Sequence, residues 1–167
     1  LGEGAGAIIL ERADHAAARG ARVLARFAGA GITSDGYDIV QPDPECRGGI
    51  RAMEMAIRDA GLTGADIKHV NAHATSTPEG DKSELQAIRT IFGDHASKLS
   101  ITANKSMLGH TLGAAGAIEA IVTILTMRDG CIPPTINLDE PDPAGEGLDL
   151  TANVAARRDV RVALSNS

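Results

Sequence analysis

Tryptophan is absent, and two phenylalanines and one tyrosine are the only other aromatic residues in 167. A core of ordinary size must then be filled by aliphatic side chains and by backbones in close approach, a packing style that suits the 19 glycines. Two cysteines are too few for a disulfide framework, which excludes a small stapled secreted scaffold and fits a reducing, cytoplasmic setting. Cationic side chains number 16 against 22 acidic ones, for a net charge of −6, so no basic face is available to track a phosphate backbone and nucleic acid is excluded as a partner. Long apolar runs are lacking too. The longest, Ala114 to Leu125, is interrupted by Gly116 and Glu119 and falls short of the roughly 20 residues that span a bilayer, so no membrane segment is expected. No basic stretch followed by an apolar one opens the chain in the manner of a signal peptide. With 43% hydrophobic residues the chain is expected to fold around a real core. Leu1 lies inside a Gly-rich apolar segment and Ser167 directly follows the apolar run Val160 to Leu164, so a piece of a larger protein, incomplete at both ends, is expected.

Hydrophobic periodicity divides the chain into alternating elements. Ala5 to Glu11 is a β-branched apolar run closed by charge and reads as a buried strand, followed by a short helix around Arg12 to Arg19. Val23 to Thr33 reads as a second strand whose glycines imply a bulge or a close neighbour. Ser34 to Cys46 reads as loop, and Gly48 to Ala60 as an amphipathic helix with Ile50, Met53 and Ile57 on one face and Gly61 at its end. A strand over Lys68 to Ala72, a polar loop, a helix over Asp81 to Phe92 and a strand over Leu99 to Thr102 give the α/β alternation of a layered sheet. A second loop leads into a small-residue helix, Leu112 to Arg128, ended by Asp129-Gly130 and Pro133-Pro134. Thr135 to Asn153 reads as irregular and Val160 to Leu164 as a last strand.

Two loops sit between a short strand and a helix, where α/β folds present reactive groups. The first, Asn71 to Asp81, places His73 just past the strand end, ahead of the hydroxyls of Thr75, Ser76 and Thr77. A structural histidine with hydroxyls, or Asp81, capping the next helix is the plainer reading of the same residues. In the second, Asn104 to Glu119, Lys105 and His110 flank an apolar turn. Read plainly, this is a glycine-rich packing helix with a surface lysine. A buried lysine beside a histidine at a helix mouth would instead suit a developing negative charge. Glu119, inside an apolar helix, needs a lysine, a histidine or a cation as partner.

Other signals are weaker. Gly2 to Gly6 lacks the Lys of a phosphate loop and the third glycine of a dinucleotide fingerprint, and reads as a tight packing turn. His15, His69 and His95 have no ligand-like spacing, so no catalytic metal site is assigned. Neither Cys46 nor Cys131 follows a strand and opens a helix as an activated nucleophile does, and both read as bystanders.

Taken together, the two loops resemble the histidine and lysine motifs of β-ketoacyl-(acyl carrier protein) synthases. The motif HGTGT is matched by His73, Ala74, Thr75, Ser76 and Thr77, and KSxxGH by Lys105, Ser106, Gly109 and His110. The LGEGAGAIILE opening, the Met127 to Leu138 stretch and the LSNS ending extend the resemblance over the whole chain, residues 1–167, and it looks closest to the elongating KAS II type. Ala74 stands where the motif has glycine, a change expected to be tolerated if φ there is negative.

The resemblance implies a thiolase-like layered fold (αβαβα), of which this chain is mostly the C-terminal half. It implies an acyltransferase that condenses malonyl-acyl carrier protein, with loss of CO2, onto an acyl group carried by a cysteine. That cysteine belongs to the N-terminal half, so the chain alone is expected to be inactive. By motif position, His73 and His110 would stabilise the enolate, Lys105 with Glu119 would organise them, and Thr75 and Thr77 would bind the phosphopantetheine arm. No cofactor is implied beyond that arm, which the carrier protein brings. A structural monovalent cation near Asn71, Glu119 and Asn166 and a homodimeric enzyme are further implications. The alternatives are a ketosynthase domain of a polyketide synthase, a non-catalytic chain-length-factor subunit, and a thiolase, whose CxGxG motif is not found.

Overall fold

The structure is a computed structural model that describes residues 1–39 and 41–167. In chain order its helices and strands are α1 (Ala13–Ala18), α2 (Arg47–Asp59), β1 (His69–Asn71), α3 (Pro78–Phe92), β2 (Ser100–Thr102), α4 (Lys105–Leu108), α5 (Ala115–Asp129), β3 (Cys131–Ile132), β4 (Ala156–Arg157) and β5 (Ala163–Ser165).

Strand β1 lies between β2 and β5, parallel to both, with Asn71 opposite Thr102 and Ser165. Side chains alternate across a strand, and the two faces differ in kind. Val70 and Ile101 enter an apolar cluster with Ile57 of α2 and Ile88 and Phe92 of α3. Asn71 points the other way, and its amide donates to the Glu119 carbonyl (3.2 Å) and Thr123 hydroxyl (3.1 Å) of α5. The unit is thus three-layered: α2 and α3, the sheet, then α5. The face of α5 that is buried carries Ala115, Glu119, Thr123 and Thr126, while its isoleucines and leucine remain partly open. An all-round apolar helix of this kind is built to be covered on every side.

Local chemistry explains the helix bounds. Pro78 and the acidic Glu79 and Asp81 occupy the first turn of α3, with Arg89 in its last, matching the helix dipole. The helix begins three residues before the sequence-based start because proline is well suited to the first turn. Gly61 (φ +68°) follows α2, and Gly130 (φ +58°) ends α5 in the left-handed region. The predicted Leu112 to Arg128 helix is a 3₁₀ turn, Leu112–Ala114, followed by α5, and the last strand is shifted to Ala163–Ser165. The antiparallel β3–β4 pair was not anticipated.

Ala5 to Glu11 and Val23 to Thr33 are not strands among the described residues and are not buried, with Ile9 92% and Ile32 88% exposed. A strand needs a ladder partner, and none of the three sheet strands lies beside them. Their glycines do mark close neighbours. A Cβ on Gly31 would come within 1.9 Å of the Ala52 carbonyl oxygen of α2, and one on Gly2 within 2.3 Å of the Leu108 carbonyl oxygen. The Gly2 to Gly6 segment is accordingly close packing without an assigned turn. Among its described residues Ser34 to Cys46 carries no helix or strand; Val40 lies outside them.

Candidate active site

Because β1 and β2 are parallel neighbours, the loops that follow them leave from the same edge of the sheet. The first carries His73, and the second runs through the single-turn helix α4 to His110. Although 37 positions apart, the two imidazoles meet edge to face, with ring centroids 5.4 Å apart and planes at 86°. Lys105, at the start of α4, reaches His73 Nδ1 with its Nζ at 3.4 Å and ion-pairs with the Glu119 carboxylate. Both partners of that pair are buried, at 5% and 3% side-chain exposure. The surface-lysine reading of the second loop is therefore set aside.

An ammonium group has only donors to offer, so the His73 Nδ1 that faces it must be the acceptor. Neutral His73 then carries its proton on Nε2. Burial pushes the His73 pKa down, the Lys105 charge pushes it further, Glu119 opposes, and His110 adds a small lowering effect. The arrangement holds His73 neutral, in one tautomer, with an N–H free to donate.

The backbone under His73 is gripped by α3. Glu84 Oε1 accepts the His73 N–H and Oε2 the Ala74 N–H, each at 2.8 Å, while Asp81 Oδ1 accepts the Ser76 N–H at 3.1 Å. Ala74 has φ +32° and Ser76 φ +64°. The condition of negative φ at Ala74 is not met, and alanine in this region stores about 1 kcal/mol or more of strain. The Thr75 and Thr77 hydroxyls bond each other (3.2 Å), and Thr77, the N-cap residue, makes no side-chain cap bond. The capping reading of these hydroxyls does not hold. Asp81 satisfies a loop N–H ahead of the helix instead.

Residues 24–139 match the family described as "Beta-ketoacyl synthase, C-terminal domain". The chain belongs to the β-ketoacyl synthase family. It is 45% identical over 168 residues to the 3-oxoacyl-[acyl-carrier-protein] synthase 2 of Vibrio harveyi, covering 100% of this chain and 40% of that protein. A crystal structure of a β-ketoacyl synthase from Burkholderia phymatum STM815 superposes with a TM-score of 0.87 at 43% identity, over 94% of this chain and 37% of the other. A type II polyketide acyl-carrier protein in complex with its ketosynthase, bound to the hexaketide, matches with a TM-score of 0.88 at 32% identity, over 93% and 38% of the two chains. The chain spans about 40% of the length of the curated relatives it matches. The layered α/β fold is the thiolase-like one of these ketosynthases.

Within this β-ketoacyl synthase chain, Asn71, Glu119 and Asn166 form one network. Asn71 bonds the Glu119 carbonyl, and the Asn166 N–H donates to the Asn71 carbonyl at 2.9 Å. Asn166 directs its side-chain amide to Glu84 (2.6 Å), whereas Asn71 Oδ1 and Glu119 Oε2 are buried acceptors with no hydrogen-bond partner. Two spare oxygens suit a monovalent cation. No group of three or more metal-binding side chains occurs among the described residues, nor any helix long and apolar enough to cross a membrane.

Cys46 is the N-cap of α2, yet burial raises its thiol pKa, with Glu84, Asp43 and Asp35 adding to the effect. That is the opposite of an activated nucleophile. Glu84 and Asp81 were missed as site residues. The available signal was a pair of carboxylates three apart at the head of the helix that follows the histidine loop.

Proposed function

We propose that this chain supplies the decarboxylation half of a β-ketoacyl-(acyl carrier protein) synthase of the KAS II type, which condenses malonyl-acyl carrier protein with an enzyme-bound acyl group in fatty acid synthesis. The observation that carries this reading is the meeting of His73 and His110, with Lys105 and its buried partner Glu119 behind His73. Imidazole N–H donors converge on the malonyl thioester oxygen. As the bond to the carboxylate breaks and CO2 leaves, its electron pair passes into an enolate whose charge rests on that oxygen. Donors placed there beforehand do most in the transition state, and loss of one costs about 2.7–4 kcal/mol. The enolate carbon then attacks the acyl thioester, whose cysteine we place outside this chain, so the 167 residues alone are inactive. Thr75 and Thr77, on the histidine loop itself, would hydrogen-bond the amides of the pantetheine arm.

The chain needs no cofactor of its own in this scheme, since the carrier protein brings the phosphopantetheine. A structural monovalent cation would be held by Asn71, Glu119 and Asn166. The working enzyme is a cytoplasmic homodimer that meets the acyl carrier protein. The likeness to a polyketide ketosynthase keeps that pathway as a second reading with the same chemistry. A non-catalytic chain-length factor would have no use for the histidine, lysine and histidine together. The test is CO2 release from a malonyl thioester by the full-length protein, expected in the wild type and lost in His73→Ala.

A further inference from the structure

We propose that Thr135 is a positioning residue that breaks into the hydrogen-bond ladder at the outer edge of β2 and so turns the chain toward Lys105. The inference rests on the reading above for its activity readout. On the side of β2 away from β1, residues 149–151 run parallel to it, with Ser100 opposite Asp149 and the Ile101 N–H donating to the Asp149 carbonyl at 2.8 Å. A parallel ladder repeats every second residue, so its next rung would join the Ala103 N–H to the Thr151 carbonyl. Thr135 stands in that rung. Its hydroxyl oxygen accepts the Ala103 N–H at 3.0 Å, and its own N–H donates to the Thr151 carbonyl at 2.9 Å. The hydroxyl proton goes to the Leu150 carbonyl at 2.9 Å, which leaves the oxygen as the acceptor for Ala103. Every group of the broken rung thus keeps a partner while the chain leaves the sheet edge two residues before Lys105. Ala103 is held at its carbonyl as well, which accepts the Ser106 hydroxyl at 2.7 Å, and the Ser106 oxygen in turn accepts the Ile136 N–H at 3.0 Å. Thr135 and Ile136 therefore fix both polar groups of the residue from which the lysine-bearing turn departs. That turn sets where the Lys105 Nζ meets Glu119 and His73 Nδ1. Threonine suits the position because branching at Cβ stiffens χ1 and keeps the hydroxyl in one direction.

The test uses the full-length protein and the variants Thr135→Val, Thr135→Ser and Ser106→Ala. Valine keeps the volume and the main-chain bond to Thr151 but leaves the Ala103 N–H and the Leu150 carbonyl without the hydroxyl, whereas serine retains it. Misplacement of a catalytic group by an ångström costs up to about 10²-fold in rate. Thr135→Val is therefore expected to lower kcat for malonyl decarboxylation by roughly 10-fold with KM little changed. Thr135→Ser should keep most of the wild-type kcat. Amide exchange in Thr135→Val should quicken at residues 103–106 and not in β1. Ser106→Ala removes a donor to the Ala103 carbonyl and the acceptor of the Ile136 N–H, so it should lower kcat in the same way. It carries the test if the valine variant does not fold. Wild-type kcat in Thr135→Val, or in Ser106→Ala where that variant stands alone, would overturn the proposal. So would a serine variant no better than valine, a change confined to KM, or exchange that rises uniformly over the chain. If the wild type releases no CO2 the proposed function falls, while local exchange still decides the role of Thr135.

Discussion

Replacing Glu119 by glutamine leaves the Lys105 ammonium buried beside His73 with no opposing charge, and replacing Lys105 by methionine leaves the carboxylate alone. Side-chain exposures of 5% and 3% put the pair in a low-dielectric site where an uncompensated charge is costly. Breaking a buried pair from one side typically costs about 3–5 kcal/mol, whereas replacing both partners by apolar groups is close to neutral. Lys105→Met/Glu119→Leu is therefore expected to be more stable than either single variant, as read by urea unfolding of the full-length protein. A signed effect on His73 accompanies this. Lys105 lowers the His73 pKa and Glu119 raises it. Lys105→Met should thus move the His73 titration up, toward its ordinary value, and Glu119→Gln should move it further down. NMR of selectively labelled histidine reads both shifts. Shifts in the same direction, or additive single losses of stability, would refute the electrostatic coupling of the three groups.

His69 gives a second pH test. It is buried, with Nε2 bonded to Thr102 Oγ1 at 2.9 Å and Nδ1 unpartnered, and burial lowers its pKa from 6.5 to about 4. The folded state keeps it neutral while the unfolded state takes up a proton below 6.5. Stability should be level above that pH, fall by about 1.4 kcal/mol per pH unit on the way down to about 4, and level off below; His69→Gln should flatten this slope in urea melts. The 167-residue chain alone should bind a hydrophobic dye strongly and self-associate, because Ile9, Phe27 and Ile32 are 92%, 73% and 88% exposed. A monodisperse, dye-silent monomer with a cooperative melt would contradict that expectation.

The reactive loops were legible in the sequence because each is bracketed by a short apolar strand and a helix, so His73 and Lys105 had to emerge near one sheet edge. Glu119 was legible as a single charge in an apolar helix, and Lys105 proved to be its partner. What failed depended on neighbours that local sequence does not specify. Ala5 to Glu11 and Val23 to Thr33 have strand character, but strand formation is decided by a pairing partner, and in this chain their glycines pack against α5 and α2 instead. The left-handed turn at Ala74 was hidden as well, since nothing in an alanine signals positive φ. The carboxylate that accepts the Ala74 N–H, Glu84, lies ten residues on and reads as an ordinary helix-surface carboxylate until the fold brings it under the loop.

In the proposed mechanism His73 and His110 act on the charge that develops as CO2 leaves. This is tested most directly in the full-length protein carrying His110→Ala, by measuring radiolabelled acyl transfer to the cysteine and CO2 release from malonyl thioester on one preparation. Loss of one donor to the enolate oxygen predicts a fall of roughly 10²–10³ in CO2 release and condensation, with acyl transfer still measurable. A variant that releases CO2 at the wild-type rate but cannot be acylated would contradict the account.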